Sequence, residues 1–559
     1  MNKTKDLTVP EAFALAAQYH QGGSLETAAN LYNEILKVNP KHAFTINNLG
    51  LIFKENGDIR KAIRCYEKAI EIDPKYADVH NNLGVVFKEV GEIQKAKECY
   101  EKAIAINPNS LDAYNNLGVV FKEVGEIQKA KECYEKAIAI DPNYSNAHNN
   151  LGVMFFDLDE AQKAISCYEK AIKANPNHTD AYNNLGAAFK EVGEYQKSLS
   201  HYEKVIDINP DYIGAHYNLG VVFQEIGEYP KAIIQYEKAI KANPKHIKAH
   251  NNLGAIFNEL GDNKKAIDCY EKVIAIDPNN KGSLYSLGVV LFSIKQYKKA
   301  IEKFKSVNFR DSKSFLLNCF YKLDDKSNFF KQLDDLIIQG QTNAIIGSLT
   351  SRSEIKYGVK KVNLFCDDPL KYAVKINLTK QCDFNNIFAK PIKNVLEKGM
   401  YSARPQELLT NGHQTAGNLF NEKNDFLDKI KNIIHLEVDK YYDHFKESKE
   451  GFIKNWPKSY NINAWLVIMK NGGKLAPHMH DYGWLSGSIY INVPPKSKTD
   501  SGNLVVCIDE QISENDTQKK VMDVVTGSLC LFPSSLYHYT IPFESGEERI
   551  VLAFDILPT

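Results

Sequence analysis

Residues 81–108 read NNLGVVFKEVGEIQKAKECYEKAIAINP, and residues 115–142 read NNLGVVFKEVGEIQKAKECYEKAIAIDP, one near-identical unit met twice at a spacing of 34 positions. Outward from this pair, Gly50, Gly84, Gly118, Gly152, Gly186, Gly220, Gly254 and Gly288 recur at that spacing, and so do Pro40, Pro74, Pro108, Pro142, Pro176, Pro210, Pro244 and Pro278. Ala62, Ala96, Ala130, Ala164, Ala232, Ala266 and Ala300 mark a further equivalent position, with Ser198 the exception, and Tyr66, Tyr100, Tyr134, Tyr168, Tyr202, Tyr236 and Tyr270 mark another. Each unit reads as a helix with a small residue where its neighbour packs closely, a Gly-centred turn such as Val90-Gly91-Glu92, a second helix, and a proline that forbids continuation.

This pattern resembles the tetratricopeptide repeat family, whose helix-turn-helix unit has this length and this order of small, small, aromatic and proline positions. The resemblance covers residues 9–314, about nine units. Its ends are atypical: Ala16 replaces the first glycine, and Phe304 and Val307 close a unit without its proline. A solenoid requires such ends, because terminal repeats must present a polar outer face. The resemblance implies an all-α superhelix with the first helix of each pair lining a concave groove.

Asn48, Asn82, Asn116, Asn150, Asn184, Asn218 and Asn252 form an unbroken ladder on the first helices, preceded in most units by a second asparagine, Asn47, Asn81, Asn115, Asn149, Asn183 and Asn251. An asparagine amide offers both donors and an acceptor, which match a peptide backbone whatever its side chains. A similar ladder in the protein O-linked N-acetylglucosamine transferase family grips extended peptides, so the resemblance implies capture of a peptide or protein partner. The alternative is that recent duplication carries the asparagines passively, although Asn on an exposed helix face is unfavourable by propensity.

At 559 residues the chain is too long for one core, so more than one folding unit is expected. Lys+Arg and Asp+Glu balance at 69 each, which argues against a nucleic-acid partner. No apolar run reaches membrane-spanning length, and the polar start with no signal-peptide pattern predicts a cytoplasmic protein. Of ten cysteines, Cys65, Cys99, Cys133, Cys167 and Cys269 share one repeat position, and the remaining Cys319, Cys366, Cys382, Cys507 and Cys530 form no CxxC pair. That usage predicts buried small residues in a reducing compartment rather than a disulfide framework or zinc site.

Beyond the repeats, Ser312–Gly340 predicts amphipathic helix that caps the solenoid, and residues 345–370 read as polar and irregular, so 315–370 is expected to be cap and linker. Residues 371–559 change pattern. Two helices, Phe384–Lys398 and Asn424–Lys446, precede short strand-like runs at Ile462–Met469, Ser486–Val493, Leu504–Ile508, Val521–Val525, Ser528–Phe532, Tyr539–Phe543 and Ile550–Ile556, punctuated by Gly and Pro. Many short strands with such turns predict a sandwich or barrel buttressed by helices.

Pro477-His478-Met479-His480-Asp481 stands at the end of one strand-like run, and Leu536-Tyr537-His538 lies sixty residues later on another. Residues two apart on an extended chain project to one face, so His478 and His480 converge, and His538 completes a facial set that leaves room for other ligands. If Glu544–Glu547 is a hairpin loop, Pro542 pairs with Arg549 and His538 shares its face. The backbone separation is then about 14 Å at roughly 3.4 Å per residue, which the arginine side chain largely closes, so a dicarboxylate held by a metal at one end meets a guanidinium at the other.

The motifs His478-Met479-His480, Gly483-Trp484-Leu485-Ser486-Gly487-Ser488-Ile489-Tyr490, Leu531-Phe532-Pro533-Ser534-Ser535-Leu536-Tyr537-His538, Glu548-Arg549-Ile550 and Ala553-Phe554-Asp555 resemble the 2-oxoglutarate- and Fe(II)-dependent oxygenase family related to prolyl and aspartyl/asparaginyl hydroxylases. The resemblance reaches back to Asn411-Gly412-His413-Gln414-Thr415 and Gly417-Asn418-Leu419-Phe420. It implies a double-stranded β-helix (jelly roll), His478 and His538 as iron ligands, and Arg549 as anchor for the 2-oxoglutarate C5 carboxylate. Position 480 departs from the family's carboxylate. Either His480 makes a three-histidine site, or water completes a two-histidine site, or Asp481 substitutes by a shifted register. His413 and Gln414 fit a pocket role or a turn role equally, and His435 and His444 read as helix-surface residues.

The sequence thus predicts an Fe(II)- and 2-oxoglutarate-dependent dioxygenase that hydroxylates a peptide or protein side chain presented by the repeats. Two other readings are a repeat scaffold with an inactive oxygenase-like domain and a three-histidine, cupin-like metalloenzyme that does not use 2-oxoglutarate. Arg549 discriminates the last.

Overall fold

The computed structural model describes residues 7–397, 403–404, 408–415, 417–421, 424–510 and 518–559; the expected helix end at Lys398 lies outside them. Helical hairpins follow one another from Val9–Gln21 with Leu25–Val38 to Lys281–Ser293 with Tyr297–Lys305. The hairpin Ala77–Glu89 and Ile93–Ile106 shows the logic of the repeat. The buried ring of Tyr100 lies so close to Gly84 that a Cβ there would come within 2.7 Å of it, and Gly91 takes φ +81° in the turn between the helices. The glycine, the tyrosine and the turn glycine are therefore three parts of one packing solution.

Packing divides the chain inside the repeat array, into Met1–Val192 with Ser200–Pro210 and Gly193–Leu199 with Asp211–Thr559. In the second unit the last repeats share one apolar core with three further helices, Ser312–Lys322, Lys326–Ile338 and Ala344–Tyr357, through Phe304, Phe315, Phe329, Leu336, Ile345 and Leu349. The last of these helices corrects the expectation of irregular chain from 345. Asn343 caps its start by accepting the Ile346 N–H, Gly358 ends it at φ 67°, and Ile345, Ile346 and Leu349 give it a buried face. Irregular chain is confined to residues 358–368. Arg352 on this helix is buried and holds Tyr537 Oη at 3.0 Å, with Asp509 and Glu510 also within reach of its guanidinium.

The strands are β1 (Val374–Asn377), β2 (Ala403–Arg404), β3 (Leu409–Thr415), β4 (Tyr460–Leu475), β5 (Leu485–Asn492), β6 (Leu504–Cys507), β7 (Lys519–Met522), β8 (Ser528–Pro533), β9 (Tyr537–Thr540) and β10 (Arg549–Pro558). They form two antiparallel sheets, ordered β1-β8-β5-β10-β4-β3-β2 and β7-β6-β9. Alternation along β4 splits the core: Ile462, Ala464, Leu466 and Ile468 pack with Ile430, Ile434 and Val438 of the helix Asp425–Phe445, whereas Val467 and Met469 pack with Tyr490, Val506 and Val551 inside.

The expected hairpin between residues 538 and 549 does not form. β9 pairs with β6, Val506 opposite His538, while β10 pairs with β4, Arg549 opposite Met469. The segment between them crosses from one sheet to the other because Phe543 is buried in the inner core and its carbonyl accepts the Gly472 N–H at 2.8 Å. His538 and Arg549 therefore reach the interior from different sheets.

Candidate metal centre and co-substrate pocket

Backbone pairing, not only side-chain spacing, sets the histidines. After β4 the chain runs extended, and His478 forms an isolated antiparallel bridge with His538 of β9: His478 N–H donates to His538 O at 3.1 Å and His538 N–H to His478 O at 2.8 Å. Directly opposed residues share a face, which brings the two rings together, tilted by 48° with centroids 4.2 Å apart. His480, two residues on, turns to the same point. One ring nitrogen from each of His478, His480 and His538 lies within 4.8 Å of the others.

Hydrogen bonds aim two of these rings. His478 Nδ1 lies 2.9 Å from the Ala476 carbonyl and His480 Nδ1 lies 2.6 Å from Asp555 Oδ1, so both Nε2 atoms turn inward and stand 3.3 Å apart. An imidazole whose Nδ1–H is held by an acceptor presents an Nε2 lone pair, the arrangement of a metal-ligating histidine. Burial, with His480 beside it, lowers His478 to about 4, and burial with both other histidines pushes His538 well below its usual value. Burial also opposes protonation of His480, but the Asp555 carboxylate outweighs it and raises that ring above the ordinary imidazole range. His538 Nδ1 is buried without a hydrogen-bond partner among the described residues. Three imidazoles, mostly held neutral, suit a borderline first-row transition ion.

Arg549 lines the same cavity as the three histidines, together with Tyr490, Met469 and Thr540. It is fully buried, and Nε, Nη1 and Nη2 lack a hydrogen-bond partner among the described residues, with Tyr490 the side chain that favours its charge most. The guanidinium lies 5.1 Å over the Tyr490 ring, a contact that offsets only part of its desolvation. Burial depresses its pKa from the usual arginine value. An unpaired buried cation beside a cluster of inward-facing nitrogens fits a ligand with a carboxylate at its far end.

The other expected residues fall as follows. Asp481 is not among the clustered donors; it stands at the cavity mouth, where burial raises its carboxyl to about 6. Gln414 is buried and His413 exposed, on opposite faces of β3. His435 and His444 lie on the helix Asp425–Phe445, where His435 Nδ1 meets Tyr460 Oη at 3.1 Å. The asparagine ladder is bonded into the repeats. Asn82, Asn116, Asn150 and Asn184 each donate to the asparagine 35 positions earlier, Asn47, Asn81, Asn115 and Asn149, at 2.9–3.1 Å. Asn48 donates to Tyr32 Oη and Asn252 to Tyr236 Oη, both at 3.1 Å, and Asn218 is half-buried among its neighbours.

Asp555 and Ser486 had no role in the sequence reading. Ser486 Oγ donates to Asp555 Oδ1 at 2.8 Å and lies 2.8 Å from Ser534 Oγ, so the carboxylate that orients His480 is itself held. The signal was present: an acid inside the apolar run Val551–Ile556 faces inward by strand alternation and needs a buried partner.

A family model described as "Putative 2OG-Fe(II) oxygenase" matches residues 463–555, which span the three histidines, Arg549 and Asp555. Models of the tetratricopeptide repeat match residues 50–91, 77–110, 111–144, 143–211, 179–245, 247–280 and 269–302. The chain thus carries tetratricopeptide repeats followed by a C-terminal domain of that oxygenase description. Among solved structures, YrrB, described as a TPR protein with an unusual peptide-binding site, is 27% identical, covering 33% of this chain and 95% of that one at a TM-score of 0.27. MamA is 28% identical, covering 29% and 95% at a TM-score of 0.26, and PilF of Pseudomonas aeruginosa is 21% identical, covering 37% and 94% at a TM-score of 0.34. No curated protein matches the chain. No helix among the described residues is long and apolar enough to cross a membrane.

Proposed function

We propose that the chain is an Fe(II)- and 2-oxoglutarate-dependent dioxygenase that hydroxylates a side chain of a peptide or protein bound by its repeats. The observation that carries this is the fully buried, unpartnered Arg549 guanidinium in one cavity with the His478, His480 and His538 cluster. His478, His480 and His538 would hold the metal, with Asp555 keeping His480 in register. Arg549 would pair with the C5 carboxylate of 2-oxoglutarate, which explains why a cation is retained in an apolar pocket. When bound, iron and 2-oxoglutarate supply the activation of dioxygen, with release of succinate and carbon dioxide. Tyr490, Phe532 and Leu504 would line that chamber and exclude water from it. We take the two sheets as a double-stranded β-helix within residues 371–559, the segment 9–314 as the repeat domain, and 315–370 as cap and linker.

Peptide capture by the asparagine ladder is part of the same reading. One N–H of each of Asn82 and Asn116 is used between repeats, but no described residue donates to their side-chain carbonyls, leaving acceptors for a peptide backbone. The three-histidine set itself favours a second reading, a cupin-like metalloenzyme without 2-oxoglutarate. One experiment separates them. Anaerobic addition of Fe(II) and then 2-oxoglutarate should produce a metal-to-ligand charge-transfer band, and oxygen should then yield succinate. Iron binding with neither band nor succinate would favour the second reading, and failure to bind iron would reject both.

A further inference from the structure

Among the described residues of the two-sheet domain, four side chains carry buried polar atoms without a hydrogen-bond partner, His538, Arg549, Gln414 and Ser535, and each has a different chemistry. His538 Nδ1 offers a ring nitrogen, Arg549 offers a cation, and Gln414 Oε1 offers a neutral acceptor. The proposed metal and co-substrate take up the His538 ring and the Arg549 cation, and the Ser535 hydroxyl can rotate to suit its neighbours. Neither takes up Gln414: a metal is served by the histidines, and a carboxylate would repel an amide oxygen. A buried acceptor that no described residue satisfies can take a donor that arrives from outside.

Its position says which reactant brings the donor. Gln414 on β3 stands directly opposite Val467 on β4, so the two share the interior face. The side chain is 7% exposed and lines a mouth with Asn463, Trp465, His478, His480 and Tyr482. Asn463 and Trp465 alternate with buried residues of the outer core, which turns both toward that mouth. The wall facing them includes Glu259, the last residue of the repeat helix Ile247–Glu259. The mouth therefore adjoins the histidines on the side away from Arg549, where Gln414 and Asn463 place two carboxamides beside an indole.

We propose that Gln414 reads the substrate, its side-chain carbonyl accepting the N–H of an amide, a polypeptide backbone amide or a carboxamide side chain, that enters beside the histidine cluster. This rests on the proposed function. An amide is the matched occupant because it supplies the missing N–H and can also face the carboxamide of Asn463, and because repeat helix forms part of the entrance. Ester, alcohol-free hydrocarbon and tertiary-amide substrates lack that N–H and leave Gln414 unpaired, which is how the site would discriminate against them.

The test uses the full chain loaded with Mn(II), a paramagnetic stand-in that does not turn over, together with 2-oxoglutarate. Proton relaxation is measured for N-methylacetamide, which carries one amide N–H, and N,N-dimethylacetamide, which carries none. The expected result is stronger relaxation of N-methylacetamide in the wild type and in Gln414→Glu, which keeps an acceptor. In Gln414→Leu the apparent affinity for N-methylacetamide should fall about two- to tenfold, the range of one net hydrogen bond. Equal relaxation of the two probes in the wild type overturns the proposal without reference to any variant, and so does wild-type behaviour of a folded Gln414→Leu protein. Binding of Mn(II) and 2-oxoglutarate is read first, by electron paramagnetic resonance and calorimetry. Failure there rejects the proposed function and the inference with it, whereas success there with indifferent probes rejects the inference alone.

Discussion

Asp555 Oδ1 stands 2.6 Å from His480 Nδ1, and the same oxygen accepts the Ser486 hydroxyl at 2.8 Å. Position 480 is thus an imidazole where the resemblance implies a carboxylate, but a carboxylate is held one step further out. Charge-assisted hydrogen bonding makes His480 a stronger donor through Nε2 and fixes its ring. Asp555→Asn should therefore weaken metal affinity about 10- to 100-fold while the fold persists. Competition against a chelator under anaerobic conditions measures it, and wild-type affinity in the variant would remove Asp555 from the metal site.

His538→Ala should abolish iron retention. His538 is the only one of the three clustered donors that comes from the three-stranded sheet, and without it the two nitrogens left belong to one short extended segment. Metal analysis of the purified variant decides this; stoichiometric iron with normal succinate formation would count against the cluster as the site.

Arg549→Met separates stability from co-substrate binding. A buried cation without a partner is a cost in the ligand-free protein, and methionine fills similar space without it. The variant should therefore be at least as stable as the wild type when both are empty. 2-Oxoglutarate should raise the thermal midpoint of the iron-loaded wild type by mass action and leave that of the variant unmoved. Equal shifts in both would favour the cupin-like reading.

Metal binding should also depend on pH in a direction set by His480. His478 and His538 are pushed below 6.5 by burial, so near neutrality they have no proton to lose, whereas His480 is raised by Asp555. Apparent affinity should climb as pH rises through the range above 6.5, with about one proton released per metal bound. In the metal-free protein the sign for stability is opposite. The protonated His480–Asp555 pair contributes fully below 6.5 and its contribution fades as pH rises through the raised folded value. Calorimetry in buffers of different ionisation enthalpy counts the proton; none released near pH 7 would contradict the raised His480.

Replacing Asn116, Asn150 and Asn184 together by Ala removes three bonds that tie neighbouring repeats. Each is worth about 0.5–1.5 kcal/mol net, partly offset by the better helix propensity of Ala, so the fold should survive with a loss on the order of 1–2 kcal/mol. If the ladder also holds peptide, succinate formation stimulated by a protein substrate should fall under subsaturating conditions while slow uncoupled turnover persists. Loss of stability with unchanged stimulation would make the ladder a structural tie only.

The sequence by itself determined the repeats, because a solenoid contacts only its neighbours and so writes its packing into one short period: Gly84 and Tyr100 touch within a single hairpin. It determined the histidine pair as well, since His478 and His480 are two apart on extended chain and alternation alone brings them together. What it did not determine were relations across sheets. The bridge between His478 and His538, the crossing that puts Arg549 on β10 beside Met469 rather than opposite Pro542, and the bond from Asp555 to His480 all join residues from about 60 to 80 positions apart. No local periodicity encodes such pairs. They exist because burying Phe543 and the inner faces of both sheets leaves one closed arrangement, and that arrangement decides which polar groups share the cavity.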